Sequence, residues 1–227
     1  MAEEAGQVRD EQLDPEREAR RRLALAQIRQ YPDPVLRMKA REIEAPDDDL
    51  RRLVRRMKAL MQDANGVGLA ATQVGVLRRL FVFQPGEGEP AAVLNPQIVE
   101  QSSESVVDDE GCLSLQGVHV PVERSVEVTL EGIDEDGAPV SYALAELPAR
   151  VAQHELDHLD GVLILDRTTP EARREALATL RPQPTLGARI VQHELDHLDG
   201  VLMLDRTTPE ARREAMAILR PRTILTA

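Results

Sequence analysis

The sequence predicts an α+β fold, with antiparallel β-sheets around a central helix that carries His154-Glu155-Leu156-Asp157-His158. Three observations carry this expectation. Residues 47–65 have the apolar spacing of a long amphipathic helix. After Gly75 the chain turns to short apolar runs and period-two alternation. Strands and helices also fall in blocks, without the regular β-α alternation of a doubly wound sheet.

Taken in order, residues 14–30 carry Pro15 at a first helical position and then a charged helix whose strong apolar points are Leu23, Leu25 and Ile28. That helix is expected to be partly exposed, and Tyr31-Pro32-Asp33-Pro34 breaks it. In 47–65, Leu50, Leu53, Val54, Met57, Leu60, Met61 and Ala64 share one face, acidic residues start the helix and Asn65-Gly66 stops it. Residues 80–83 and 92–94 read as short strands. Val126, Val128 and Leu130 alternate with Glu127, Thr129 and Glu131, and the turn Asp134-Glu135-Asp136-Gly137 leads back into 139–144, which makes a hairpin. Leu147, Val151, His154 and His158 then continue one helical stripe, so the histidines are expected to point inward with Leu147 and Val151.

A chain of 227 residues suits one large domain or two small ones. Its net charge of −12 argues against DNA and against an anionic membrane as partners. The acidity is concentrated: residues 81–149 hold 14 acidic residues against the single base Arg124, and the rest of the chain is close to neutral. One cysteine excludes an internal disulfide framework. No apolar run approaches the roughly 20 residues that span a bilayer, and the charged N-terminus lacks a signal-peptide core, so a cytoplasmic location is expected.

Residues 150–182 and 189–221 are near copies, offset by 39, with five mismatches in 33 positions. Two copies are too few for a solenoid, so this is a tandem duplication appended to one domain. The expected organisation is a charged helical extension over 1–30, a catalytic domain over 31–187, and the duplicated segment over 188–227.

The H-E-x-x-H run carries the chemistry. Residues four apart share a helix face, so His154 and His158 can reach one cation. Glu155 stands beside the first of them, where a carboxylate can take a proton from an activated water and pass it on. A catalytic metal commonly takes three protein ligands, and both Cys112 and His119 (the one histidine outside the repeated motifs) are candidates on residue type. Gly66-Val67-Gly68-Leu69-Ala70-Ala71-Thr72-Gln73 lets backbone approach a ligand closely and ends in an amide donor.

GVGLAATQ at 66–73, EGCLS at 110–114 and QHELDH at 153–158 together resemble the three signature motifs of the peptide deformylase family, and IRQYPDPVLR resembles its N-terminal segment. The resemblance covers about residues 28–180. It implies a metallohydrolase that removes the formyl group from the N-terminal formyl-methionine of nascent formylated polypeptides. It implies one divalent metal on Cys112, His154 and His158, commonly Fe(II), with Zn(II), Ni(II) or Co(II) able to replace it. By the same resemblance Glu155 is the general acid/base, Gln73 and the Leu113 N–H stabilise the oxyanion, and backbone at Val67, Gly68 and Gly111 pairs with the substrate. Ribosome association is a family-level expectation. Many members have proline at the place of Gln116 and arginine at that of His119, which bears on substrate preference.

His154 follows Cys112 by 42 residues and His193 by 81, and the nearer copy has the strand-rich lead-in. His154, Glu155 and His158 are therefore expected to form the site, with His193 and His197 lacking a cysteine partner. The alternatives are a metallopeptidase, and a non-catalytic relative whose site the duplicated tail blocks.

Overall fold

The computed structural model describes residues 14–180, together with Thr208 and Arg213. The chain divides into two units, Met1–Leu180 and Arg181–Ala227. The second repeat copy expected over 188–227 lies outside the described residues apart from those two positions.

The first helix, α1 (Pro15–Leu25), is capped by the Asp14 carboxylate, which accepts from the Glu16 N–H. Ala24 and Ile28 are buried, Leu25 is partly so, and Leu23 is left in solvent. After a short 3-10 turn at Pro34–Arg37 comes α2 (Asp48–Asp63). Asp47 accepts from the Leu50 N–H at 2.7 Å, Asp48 and Asp49 sit in the positive first turn, and Asn65 reverses the chain at φ 56°. Six of the seven predicted apolar positions are buried and the seventh, Leu53, is partly so.

Five antiparallel strands form one sheet: β1 (Gly68–Ala70), β2 (Leu80–Phe83), β3 (Ala91–Gln101), β6 (Glu127–Ile133) and β7 (Pro139–Ala145), ordered β1-β2-β3-β6-β7. β4 (Ser105–Gly111) and β5 (His119–Ser125) form a separate two-stranded ribbon. The predicted hairpin is β6–β7, in register from Glu127 opposite Ala145 to Ile133 opposite Pro139.

Strand β2 explains the layering. Leu80 and Val82 join Leu50, Val54, Met57 and Met61 of α2 in one cluster. Phe81 and Phe83 point the other way, to Ala149, Ala152 and Leu159 of α3 (Glu146–Leu159). Alternate side chains of a strand face opposite sides, so the sheet is covered by α2 on one face and α3 on the other. A third cluster joins Val120 and Val122 of β5 to Ile164 and Leu165 of α4 (Ile164–Arg167) and Ala176 of α5 (Pro170–Thr179). No described helix is long and apolar enough to cross a membrane.

Two expectations need correction. β3 runs well past the predicted 92–94, and register shifts at Leu94/Gln97 and Ile98/Glu100 break the period-two pattern by which it could have been read. Leu147 does not share the buried stripe of α3: it is 51% exposed, because it lies in the first turn, before the helix passes under the sheet.

Candidate metal centre

Three segments converge. The segment through β1, from Val67 just before it to the turn after it, brings Val67, Gly68 and Gln73, the end of β4 brings Gly111, Cys112 and Leu113, and α3 brings His154, Glu155 and His158. The two imidazoles lie one helical turn apart with ring centroids 4.9 Å from each other and planes at 75°. Cys112 Sγ stands 3.2 Å from His158 Nε2. One ligand atom from each of Cys112, His154 and His158 falls within 4.8 Å of the others. A tetrahedral ion with M–S near 2.3 Å and M–N near 2.0 Å needs such atoms about 3.3–3.6 Å apart, so the set fits one cation after small side-chain adjustments. His119 is not in the set. It is exposed, at the β5 position opposite Gly111, with its ring against that glycine.

Glu110 organises the first histidine. Its Oε2 lies 2.9 Å from His154 Nδ1, which leaves Nε2 as the ring atom for the cation. Arg124 donates to both Glu110 oxygens, from Nε at 2.9 Å and Nη2 at 3.1 Å, and Arg150 Nη1 donates to Oε1 at 2.9 Å. Burial opposes the charge on Glu110, but His154 and Arg124 outweigh it and hold the carboxyl at about 2. The same pairing, with Cys112, raises His154 well above the ordinary imidazole value against the pull of burial. His158 goes the other way, lowered by burial and by the neighbouring His154 and Arg124 charges, and its Nδ1 has no partner among the described residues.

Glu155 is buried, and its Oε2 likewise has no partner among the described residues. Desolvation, reinforced by Glu110 against the opposing pull of His154, pushes its carboxyl up to about 7. Gln73 is held by its own backbone: Oε1 accepts from the Ala70 N–H at 2.8 Å, so Nε2 is turned towards Ser114 Oγ at 3.2 Å and Cys112 Sγ at 3.6 Å. The Leu113 carbonyl accepts from Gln30 Nε2 at 3.0 Å, while among the described residues the Leu113 N–H has no acceptor. Among the described residues β1 is an edge strand and β4 pairs only with β5, so Gly68 and Gly111 lie on strands with an unpaired edge, while the carbonyl of Val67, just before β1, accepts from the Gln84 N–H.

Sequence reasoning did not single out Glu110 or Asp157. One signal was present: Arg124 is the only base among the 14 acidic residues of 81–149, and a lone guanidinium in such a segment is a natural centre for buried carboxylates.

Fold and site define a class of protein: an α+β domain with a buried H-E-x-x-H helix presented to a cysteine at the end of a β-ribbon. The model of the polypeptide deformylase family matches residues 25–174 and, separately, 184–213. The peptide deformylase of Desulforudis audaxviator is 42% identical over 153 residues, covering 67% of this chain and 99% of its own. That of Clostridium botulinum is 47% identical over 147 residues, covering 65% and 99%. The crystal structure of a peptide deformylase from Legionella pneumophila superposes with a TM-score of 0.66 at 37% identity, covering 71% of this chain and 96% of that one. The chain belongs to the polypeptide deformylase family, enzymes that remove the N-formyl group from nascent peptides.

Proposed function

We propose that the protein hydrolyses the formamide of N-terminal formyl-methionine on new polypeptides, releasing formate, with one divalent metal held by Cys112, His154 and His158. The observation that carries this reading is the meeting of those three donors beside a buried carboxylate, Glu155, whose Oε2 has no partner among the described residues. The bound metal would act as a Lewis acid that lowers the pKa of water towards about 7. Fe(II), Zn(II), Ni(II) and Co(II) all accept a thiolate with two imidazoles.

The remaining roles belong to the chain. Glu155, buried beside the histidines, takes the proton of the attacking water and returns it to the departing α-amine. The formyl C–N bond breaks as the C–O bond forms, which accounts for formate and a free N-terminus. Gln73 Nε2, 3.6 Å from Cys112 Sγ, and the N–H of Leu113, the residue after Cys112, donate to the oxygen that gains charge, each such donor being worth about 3 kcal/mol. Backbone at Val67 just before β1, at Gly68 on β1 and at Gly111 on β4 pairs with the extended peptide as an added strand. Most of these polar groups sit on regular elements or their ends, which keeps the geometry preorganised.

The catalytic unit in this reading is 31–187, and 188–227 is an appended copy of its last segment. A cytoplasmic setting beside the ribosome suits a substrate that is a nascent chain. The test is formate release from formyl-Met-Ala-Ser by anaerobically purified protein. Release supports the reading. No release from protein carrying one bound metal would sink it, in favour of peptidase activity or a site covered by the duplicated tail.

A further inference from the structure

Behind the metal centre, the ion pairs around Glu110 continue outward. Arg124 Nη1 donates to Asp157 Oδ2 at 2.7 Å, using the one edge of its guanidinium that Glu110 leaves free. Arg167, the last residue of α4, closes on Asp157 from the other side, with Nε to Oδ2 at 3.0 Å and Nη2 to Oδ1 at 2.5 Å. The order is therefore Arg167, Asp157, Arg124, Glu110, His154. The Glu110, Arg124 and Asp157 side chains are buried, whereas Arg167 is half exposed on the wall of a groove of about 600 Å³ behind α3.

The geometry makes this more than a cluster of ion pairs. A guanidinium is planar and its donors are fixed relative to one another. With Nε and Nη2 on Glu110 and Nη1 on Asp157, the plane of Arg124 is set from both ends. Glu110 Oε2 is shared between Arg124 Nη2 and His154 Nδ1, so a tilt of the guanidinium moves the atom that orients the imidazole. Asp157 lies on α3 between the two histidines in sequence, and its carboxylate accepts from Arg124 and Arg167 rather than touching Cys112, His154 or His158. We propose that Asp157, clamped by Arg167, is a positioning residue of the metal site that acts on His154 through Arg124 and Glu110. This rests on the reading of Cys112, His154 and His158 as the metal ligands.

The test is zinc affinity, measured by competition with a chelator, alongside thermal unfolding of the metal-free protein. It uses the full chain in a His193→Ala, His197→Ala background, so that one histidine pair is read. Asp157→Asn keeps the shape and removes the charge that sets Arg124, and zinc binding should weaken about 10- to 100-fold, the range expected when an outer partner of a ligand is lost. Arg167→Met, at a half-exposed position, should weaken it several-fold, with Arg167→Lys recovering part of the loss because charge without the planar fork is only a partial substitute. The Co(II)-loaded variants should also show an altered visible absorption band, which a purely structural role would not move. The proposal is overturned if Asp157→Asn and Arg167→Met unfold at lower temperature yet bind zinc as tightly as the parent. If the parent binds no zinc, the metal reading falls and takes this proposal with it.

Discussion

Gly68 on the edge strand stands directly against Glu155: a methyl group in place of its hydrogen would lie 2.3 Å from Glu155 Oε1 and 2.8 Å from Cδ. The edge-strand backbone proposed to border the substrate and the carboxylate proposed to move the proton are thus packed without room for a Cβ. Gly68→Ala is expected to displace Glu155 by about an ångström and lower kcat for deformylation about 100-fold, as misplacements of that size do, while the protein retains its metal. Metal content by mass spectrometry with steady-state kinetics checks this. An unchanged kcat would mean that Glu155 yields without consequence.

Glu155→Gln removes the exchangeable proton while keeping the shape of a buried side chain. The variant should fold and bind metal, with formate release down by about 10²–10⁴-fold, the usual weight of general acid/base catalysis. Stability should not fall, because a neutral amide carries less desolvation penalty than a buried carboxylate whose Oε2 has no partner among the described residues. Near-normal turnover would remove Glu155 from the reaction.

The Glu110 carboxyl has a folded value of about 2 against an ordinary 4.5, so in metal-free protein its charge stabilises the fold. That stabilisation is complete above about pH 4.5 and is lost progressively as pH falls towards 2, because below both values the carboxyl is protonated whether or not the chain is folded. Glu110→Gln should be less stable at neutral pH by about 3 kcal/mol or more, since Arg150 loses its carboxylate partner and Arg124 keeps only Asp157. The gap between the two proteins in urea unfolding should then narrow as the solution is acidified. A gap independent of pH would contradict the paired, ionised Glu110.

The first copy of the repeated motif faces Cys112 and the second has no cysteine of its own. His154→Ala with His158→Ala should abolish tight metal binding and formate release, whereas His193→Ala with His197→Ala should leave both. Loss of binding in the second pair alone would assign the site to the second copy.

What is encoded within a single element was readable from the chain alone. The face of α2 followed from apolar spacing between Asp47 and Asn65, the β6–β7 hairpin from alternation around Asp134-Glu135-Asp136-Gly137, and the pairing of His154 with His158 from their spacing on a helix. The motifs around Gln73, Cys112 and Glu155 were legible as a family resemblance that implied one shared site, but the residues themselves carry no pattern for the chain path that brings them together. The tertiary structure alone decided the rest. Residues 105–109 of the β4–β5 ribbon are exposed on both faces, so that strand had no alternation by which to be read. Residue type alone left Cys112 and His119 both open and the family resemblance pointed to Cys112; the meeting of three chain segments is what puts the thiol within reach of both imidazoles and leaves His119 outside. Glu110 and His154 are 44 residues apart and Arg124 and Asp157 are 33 apart. Such pairs leave no period in the sequence, because a buried charge is satisfied by whatever partner the fold brings to it.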